Sequence, residues 1–304
     1  MTALIRQARQ TNQVGQIKRS RPTKLELEHR REALVRLAEE VKPASVRHIY
    51  YRAVAAGLVE KKESGYNKVV YDLGILRSQG RIPYNWIVDN GRRGHFPLVS
   101  RSPESALRRT AHLYRRDPWQ YDDAPNVEIW CESRSIAGVL MDLKDQYAVP
   151  IFPTGGQTSE TFAYEAATSY RRTTIVLYAG DYDPAGLQCG AQLEAKLRKH
   201  ADPEVNIEFR LLSITDAQAA TMQALGTPPK SDYWVDQHGQ RHDFVGQAIE
   251  LEAVDPNVMR RLFAEAIEQI AYDHIGHDIF TENREIEAGE RDRLEELAEG
   301  WWSA

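Results

Sequence analysis

The stretch of the 304-residue chain richest in reactive groups is TTIVLYAGDYDPAG, residues 173–186. Its apolar run, residues 175–179, reads as a strand. Gly180 ends it, and Asp181 and Asp183 follow before a turn made by Pro184 and Gly186. Two carboxylates crowded at the carboxyl end of a parallel strand repel each other unless a proton or a hard cation lies between them, and an all-oxygen ligand set suits Mg²⁺. The same residues also read as a helix cap, because Asp is favoured at the N-cap and Pro at the first helical position. A metal site needs a third carboxylate from another strand. Glu132 is that candidate, at the end of the alternating run 127–131 and just before Ser133.

A second reactive pair lies in SVRHIYYRAVAA, residues 45–56, which read as a helix capped by Ser45 and stopped by Gly57. Arg47 and Tyr51 are four apart and share a helix face. A phenol beside a guanidinium has the chemistry to attack a phosphodiester, with the arginine orienting the phosphate and neutralising developing charge. Tyr50 and Tyr51 also read as packing residues with their hydroxyls at the rim of a core.

The elements that must position these groups fall into two parts of opposite charge. Residues 1–120 carry 24 Lys/Arg against 11 Asp/Glu, and residues 121–304 carry 15 against 33, within a net charge of -5. That division suits a chain that holds a polyanion with one part and metal ions with the other. Residues 1–22 read as a basic flexible arm. A capping box at Thr23 and Glu26 opens a helix to about residue 41, and a third helix is expected over 66–78, with Val69, Val70, Leu73 and Leu76 inward and Lys68 and Arg77 outward. With the segment 81–88 these helices fit a winged-helix unit over residues 23–120. Lys68 and Arg77 would face a groove and the turn holding Arg92 and Arg93 would face backbone phosphates.

From residue 121 to about 280 a strand–helix rhythm predicts an α/β fold, a mostly parallel sheet with helices on both faces. Strands are expected at 127–132, 149–152, 175–179 and 207–212, with helices between them. The Gly155-Gly156 turn reads either as a phosphate-facing turn or as a plain connection. Residues 223–246 read as loop. Glu250 is a possible additional acidic ligand and reads equally as a solvated side chain, and 281–304 read as a peripheral helix and tail. His238, His242, His274 and His277 have no metal-site spacing.

No GxGxxG follows the first strand and no GxxxxGK[ST] occurs, which argues against a dinucleotide dehydrogenase and a P-loop ATPase. Two cysteines, Cys131 and Cys189, suggest neither a disulfide scaffold nor a zinc knuckle. No apolar run approaches the ~18 residues of a membrane span, so a soluble, cytoplasmic, DNA-associated protein without membrane partners is expected.

In order along the chain, RHIYY, WCES, PTGGQTSE, YAGDYDPAG and ELEAV resemble the A-subunit family of topoisomerase VI, related to the meiotic double-strand-break transesterase, and above all its compact bacterial and phage members. The resemblance covers roughly residues 40–270. It implies a winged-helix (CAP-like) domain followed by a Toprim domain in which Glu132, Asp181 and Asp183 bind Mg²⁺, with Glu250 matching a later acidic position. Tyr51 would be the DNA-attacking tyrosine and Arg47 its companion. The family's partners would be double-stranded DNA and a second copy of the chain, with the tyrosine of one protomer facing the metal site of the other. Nothing resembles the ATPase of the topoisomerase B subunit, so strand passage would need a separate ATPase or accessory partner. Hydrolytic cleavage by a Toprim nuclease, and DNA binding or assembly without autonomous cleavage, are the alternatives.

Overall fold

The computed structural model describes residues 23–87, 97–236 and 238–303, the last three of these through their backbone alone. The basic arm 1–22 and the turn carrying Arg92 and Arg93 lie outside the described residues.

Strand β3 (Thr174–Ala179) is buried at every position, as a continuous apolar run requires of a strand covered on both faces. It pairs in parallel with β1 (Asn126–Cys131) on one side and β4 (Ile207–Ser213) on the other, and β2 (Ile151–Pro153) lies outside β1. The sheet order is β2-β1-β3-β4, all parallel. Helices α5 (Arg134–Val139) and α6 (Met141–Tyr147) connect β1 to β2, α7 (Glu160–Ala167) connects β2 to β3, and α8 (Pro184–His200) connects β3 to β4.

The two-residue period of a strand divides the core between the sheet faces. Ile129, Cys131, Ile175, Leu177 and Ala179 pack in one cluster with Ile136 and Leu140, and with Phe263 and Ile267 of α10 (Pro256–Ile275). Trp130, Val176 and Tyr178 point the other way, into a second cluster with Ala163 of α7 and Leu193 and Leu197 of α8.

The N-terminal part is three packed helices, α1 (Lys24–Val41), α2 (Val46–Ala55) and α3 (Glu63–Ser78). The capping box that opens α1 is formed: Glu26 N–H donates to Thr23 Oγ1 at 3.2 Å, and Thr23 N–H to Glu26 Oε2 at 2.8 Å. Leu34, Ala38, Ile49, Ala53, Val69, Leu73 and Leu76 make the common core, which is continuous with the first cluster of the sheet. Asp72 is fully buried in α3 and takes Nε–H bonds from Arg30 (2.8 Å) and Arg31 (3.1 Å), clamping α1 to α3.

Helix α3 begins before Gly65, rather than after it, because that glycine lets the helix pass close to the preceding chain. A Cβ there would lie 2.1 Å from the Glu60 carbonyl oxygen. Val70, expected inward, is on the outer face, since the inward stripe runs Val69, Leu73, Leu76. Among the described residues that follow α3, Tyr84–Trp86 form a 3₁₀ turn and Ile87 forms an isolated parallel bridge with Ala44.

Beyond these lie α4 (Pro103–Leu113), α9 (Asp216–Thr221) and α11 (Ile279–Ser303), which packs along α4. The region 223–246, expected as loop, holds an antiparallel hairpin, β5 (Tyr233–Val235) with β6 (Arg241–Asp243). Each strand has three residues, too few for alternation to stand out. Ring stacking of Trp234 on His242 at 4.6 Å and the Asp236–His242 contact at 2.8 Å close it.

Candidate functional site

Glu132 directly continues β1, donating its N–H to the Ala179 carbonyl at 2.9 Å. Its carbonyl accepts the N–H groups of Gly155 (2.9 Å) and Gly156 (3.3 Å), so both amides of the glycine turn are engaged by the backbone. Its carboxylate reaches across to β3, where Oε2 accepts the Asp181 N–H at 3.2 Å. Asp181 Oδ1 in turn accepts the Leu251 N–H at 2.7 Å. Asp183 is the N-cap of α8, with Oδ1 accepting the Gly186 N–H at 2.7 Å. The cap reading of the pair holds for Asp183, while Asp181 faces Glu132. Gly186 is required by the tightness of the turn, for a Cβ there would sit 2.3 Å from the Asp181 carbonyl oxygen.

The loop that closes over this edge is fixed by an antiparallel bridge in which Tyr182 and Ile249 exchange two N–H···O bonds of 2.9 Å. One 3₁₀ turn, Leu251–Ala253, follows. Glu250 and Glu252 leave it in different directions. Glu252 is buried, and its Oε1 accepts the hydroxyls of Ser133 (2.7 Å) and Ser135 (2.5 Å). Glu250 reaches α2 instead, where its Oε2 lies 2.9 Å from Arg47 Nη1. The sequence singles out Glu250 alone. Glu252 and Ser133 lie inside the ELEAV and WCES stretches without being singled out there, Ser135 lies outside them, and the signal for Glu252 is a glutamate between Leu251 and Ala253, both apolar.

The electrostatics of the edge are those of crowded acids. Burial first, then the neighbouring Glu132, Glu252 and Asp183 charges, push the Asp181 carboxyl up to about 8. Glu132 is also raised, chiefly by burial, with Asp183 and Glu252 adding to it and the Asp181 N–H opposing it. Glu252 goes the other way. Burial disfavours its charge, but the Ser135 and Ser133 hydroxyls and nearby His48 hold it below the usual carboxylate range.

Helix α2 brings its reactive residues against the same loop. Tyr51 is buried, its ring in edge contact with Tyr50 at 5.3 Å and under the Lys61 ammonium at 5.4 Å. Burial and the Glu250 carboxylate beside it push its phenol far above the usual range, with Arg47 opposing. His48, fully buried, shares a 2.8 Å hydrogen bond between Nδ1 and Ser45 Oγ, while its Nε2 has no described partner. Burial lowers its pKa to about 4. Arg52 pairs with Asp255 at 2.9 Å, and Lys61 donates to the Leu225 carbonyl, so the helices and the α/β part are stitched at several points.

The expected DNA-facing residues of α3 are divided. Lys68 is exposed, whereas the Arg77 guanidinium lies over the Tyr84 ring at 4.3 Å and bonds the Tyr84 carbonyl.

For a divalent cation the donor chemistry is suitable. Glu132, Asp181 and Asp183 each commit one carboxylate oxygen to a backbone N–H, and the other takes no described hydrogen bond. The geometry is not that of an assembled site: among the described residues no three His, Cys, Asp or Glu side chains are grouped so as to hold a metal ion. No described helix is long and apolar enough to cross a membrane. No protein-family model, curated protein or solved structure matches the chain.

Proposed function

We propose that the chain is a magnesium-dependent enzyme that cleaves double-stranded DNA in the manner of the topoisomerase VI A subunit. The observation that carries this reading is the turn at 250–252. Through Glu250 it meets the helix of Arg47 and Tyr51, and through Glu252 and the Leu251 amide it meets the cluster of Glu132 and Asp181. A nucleophile candidate with its arginine, and a crowd of carboxylates at the carboxyl end of a parallel sheet, thus meet at one loop of the chain, which supports a common cleavage role for them.

In this reading Tyr51 Oη attacks phosphorus and forms a tyrosyl ester with the 5′ end, while the bond from phosphorus to the 3′ oxygen breaks and that oxygen takes a proton from solvent water, to which Glu250 returns the one it receives. Glu250, which faces the phenol, accepts the proton that Tyr51 loses. Arg47 exchanges Glu250 for the incoming phosphate and neutralises its charge. The step requires Tyr51 Oη to be uncovered from beneath Lys61 and Glu250. Bound Mg²⁺ would be held by Glu132 and Asp181, with Asp183 once it leaves its cap, and would supply positive charge beside the phosphate. The three N-terminal helices would serve as the winged-helix DNA-binding unit, with Lys68, Arg77, Arg92 and Arg93 toward the duplex, the chain acting as a homodimer with a separate ATPase where strand passage is needed.

One observation favours a hydrolytic variant. Tyr51 is buried and its phenol is strongly disfavoured as a phenolate, so water would be the attacking group and Tyr51 a contact residue.

The test is cleavage of a labelled duplex with Mg²⁺ by wild type and by the Asp181→Asn/Asp183→Asn double variant, with DNA affinity measured in parallel. Cleavage lost with affinity kept supports the proposal. Cleavage equal to wild type removes the acidic cluster from the reaction, and binding without cleavage by any form leaves a DNA-binding protein.

A further inference from the structure

One sizeable concave site lies away from the acidic edge. It encloses about 670 Å³ and is bounded by the segments that lead into β1 and β2, together with α6 and α11. Those segments enter at the amino ends of the strands, so the cavity sits at the opposite pole of the sheet from Glu132 and Asp181.

Its lining is cationic. Arg115, Arg116, Lys144, Arg284 and Arg291 face it, against two carboxylates, Asp145 and Glu287. Glu287 is shared between Arg115 (3.5 Å) and Arg291, Asp145 is taken by Lys144 at 2.6 Å, and Arg116 pairs with Glu290 at 2.9 Å. Arg284 forms no ion pair among the described residues and donates only to Thr281 Oγ1 at 3.1 Å. With Glu290 counted, five cations stand against three carboxylates, and Arg284 is left without an ion pair among the described residues, so this concave site is short of negative charge.

We propose that this cavity is a binding site for a small polyphosphate, a molecule carrying a di- or triphosphate group. Guanidinium forks match phosphate oxygens in geometry as well as charge, and one bound diphosphate supplies the negative charge the lining lacks. The volume falls in the ~300–1,000 Å³ range of small-ligand sites. Phe280 and Val149 form an apolar wall that suits an uncharged portion of the ligand, such as a nucleoside. The site is independent of the cleavage chemistry proposed above.

Isothermal titration of the full chain with inorganic pyrophosphate, ATP and inorganic phosphate tests it. The variant is Lys144→Glu/Arg284→Glu, both exposed positions outside the acidic edge, with its thermal melt compared with wild type. Pyrophosphate and ATP should bind wild type, inorganic phosphate at least roughly tenfold more weakly, and the folded variant should lose roughly tenfold or more in affinity for pyrophosphate. Overturning results are no binding of pyrophosphate by wild type, equal binding by the variant, or binding of duplex DNA alone. Should that variant melt early, Lys144→Ala alone replaces it, with the same reading of loss or no loss.

Discussion

Arg47 and Glu250, 203 residues apart, meet at 2.9 Å and tie the tyrosine-bearing helix to the loop that closes over the acidic edge. Both side chains are close to half exposed, at 49% and 46%, so water screens the pair and its contribution to folding is about 0–1 kcal/mol. Its place between Tyr51 and solvent gives it another use. Arg47→Ala should lower the melting temperature by only a few degrees, on the order of ~1 kcal/mol, while reducing DNA cleavage by about 100-fold or more. Calorimetry beside a cleavage time course checks this. A large loss of stability with cleavage unchanged would make the pair structural.

Asp181 gives a pH signature of one sign. Its folded pKa, about 8, lies above the ordinary value of 3.8, so the folded state binds its proton more tightly than the unfolded state does. Stability from this group is therefore present at low pH and declines as pH rises from about 4 to about 8, by an amount on the order of a few kcal/mol at most, since the residue is only partly shielded from water. Asp181→Asn should flatten that decline. Mg²⁺ binding at neutral pH should release a proton, measured by titration calorimetry in buffers of different ionisation enthalpy. No proton release would separate Mg²⁺ from Asp181.

His48 gives the opposite sign. Its folded pKa of about 4 lies below the ordinary 6.5, so the unfolded state takes the proton first and stability falls as pH drops from about 6.5 to about 4. The loss should be on the order of 2 kcal/mol, and His48→Gln should remove most of it in denaturant melts across that window. Equal acid sensitivity in the variant would place the effect elsewhere.

Asp72 anchors the three-helix part. Its side chain is fully buried between Arg30 and Arg31, so Asp72→Ala leaves two guanidinium groups without their acceptor. A loss of about 3–5 kcal/mol is expected in chemical denaturation, far above that of Arg47→Ala. A loss below ~1 kcal/mol would mean the arginines reach solvent freely.

The sheet was legible because a parallel strand buried on both faces is a near-continuous apolar run, as β3 is up to the residues before Asp181, and because β1 alternates up to Glu132, with Glu128 buried in it and bonded by Trp130 and Tyr170. The acidic loop was legible only in part. On an extended strand Glu250 and Glu252 would share a face, two residues apart, and nothing in ELEAV separates them. The 3₁₀ turn at Leu251–Ala253 does, sending Glu250 to Arg47 and Glu252 to the two serines. That turn is set by the Tyr182–Ile249 bridge and the Leu251–Asp181 bond, contacts between segments about 70 residues apart, which local pattern does not encode. The same holds for Tyr51, whose packing reading and whose proximity to an arginine are both satisfied.

The central claim is that Tyr51 forms a covalent bond to DNA. The direct measurement is a denaturing gel of a labelled duplex incubated with the full chain and Mg²⁺, before and after protease treatment, for wild type and Tyr51→Phe. The predicted result is a slowly migrating protein–DNA adduct on 5′ ends with wild type, collapsed by protease and absent with Tyr51→Phe. Equal cutting by both proteins, with free 5′ ends and no adduct, would contradict it.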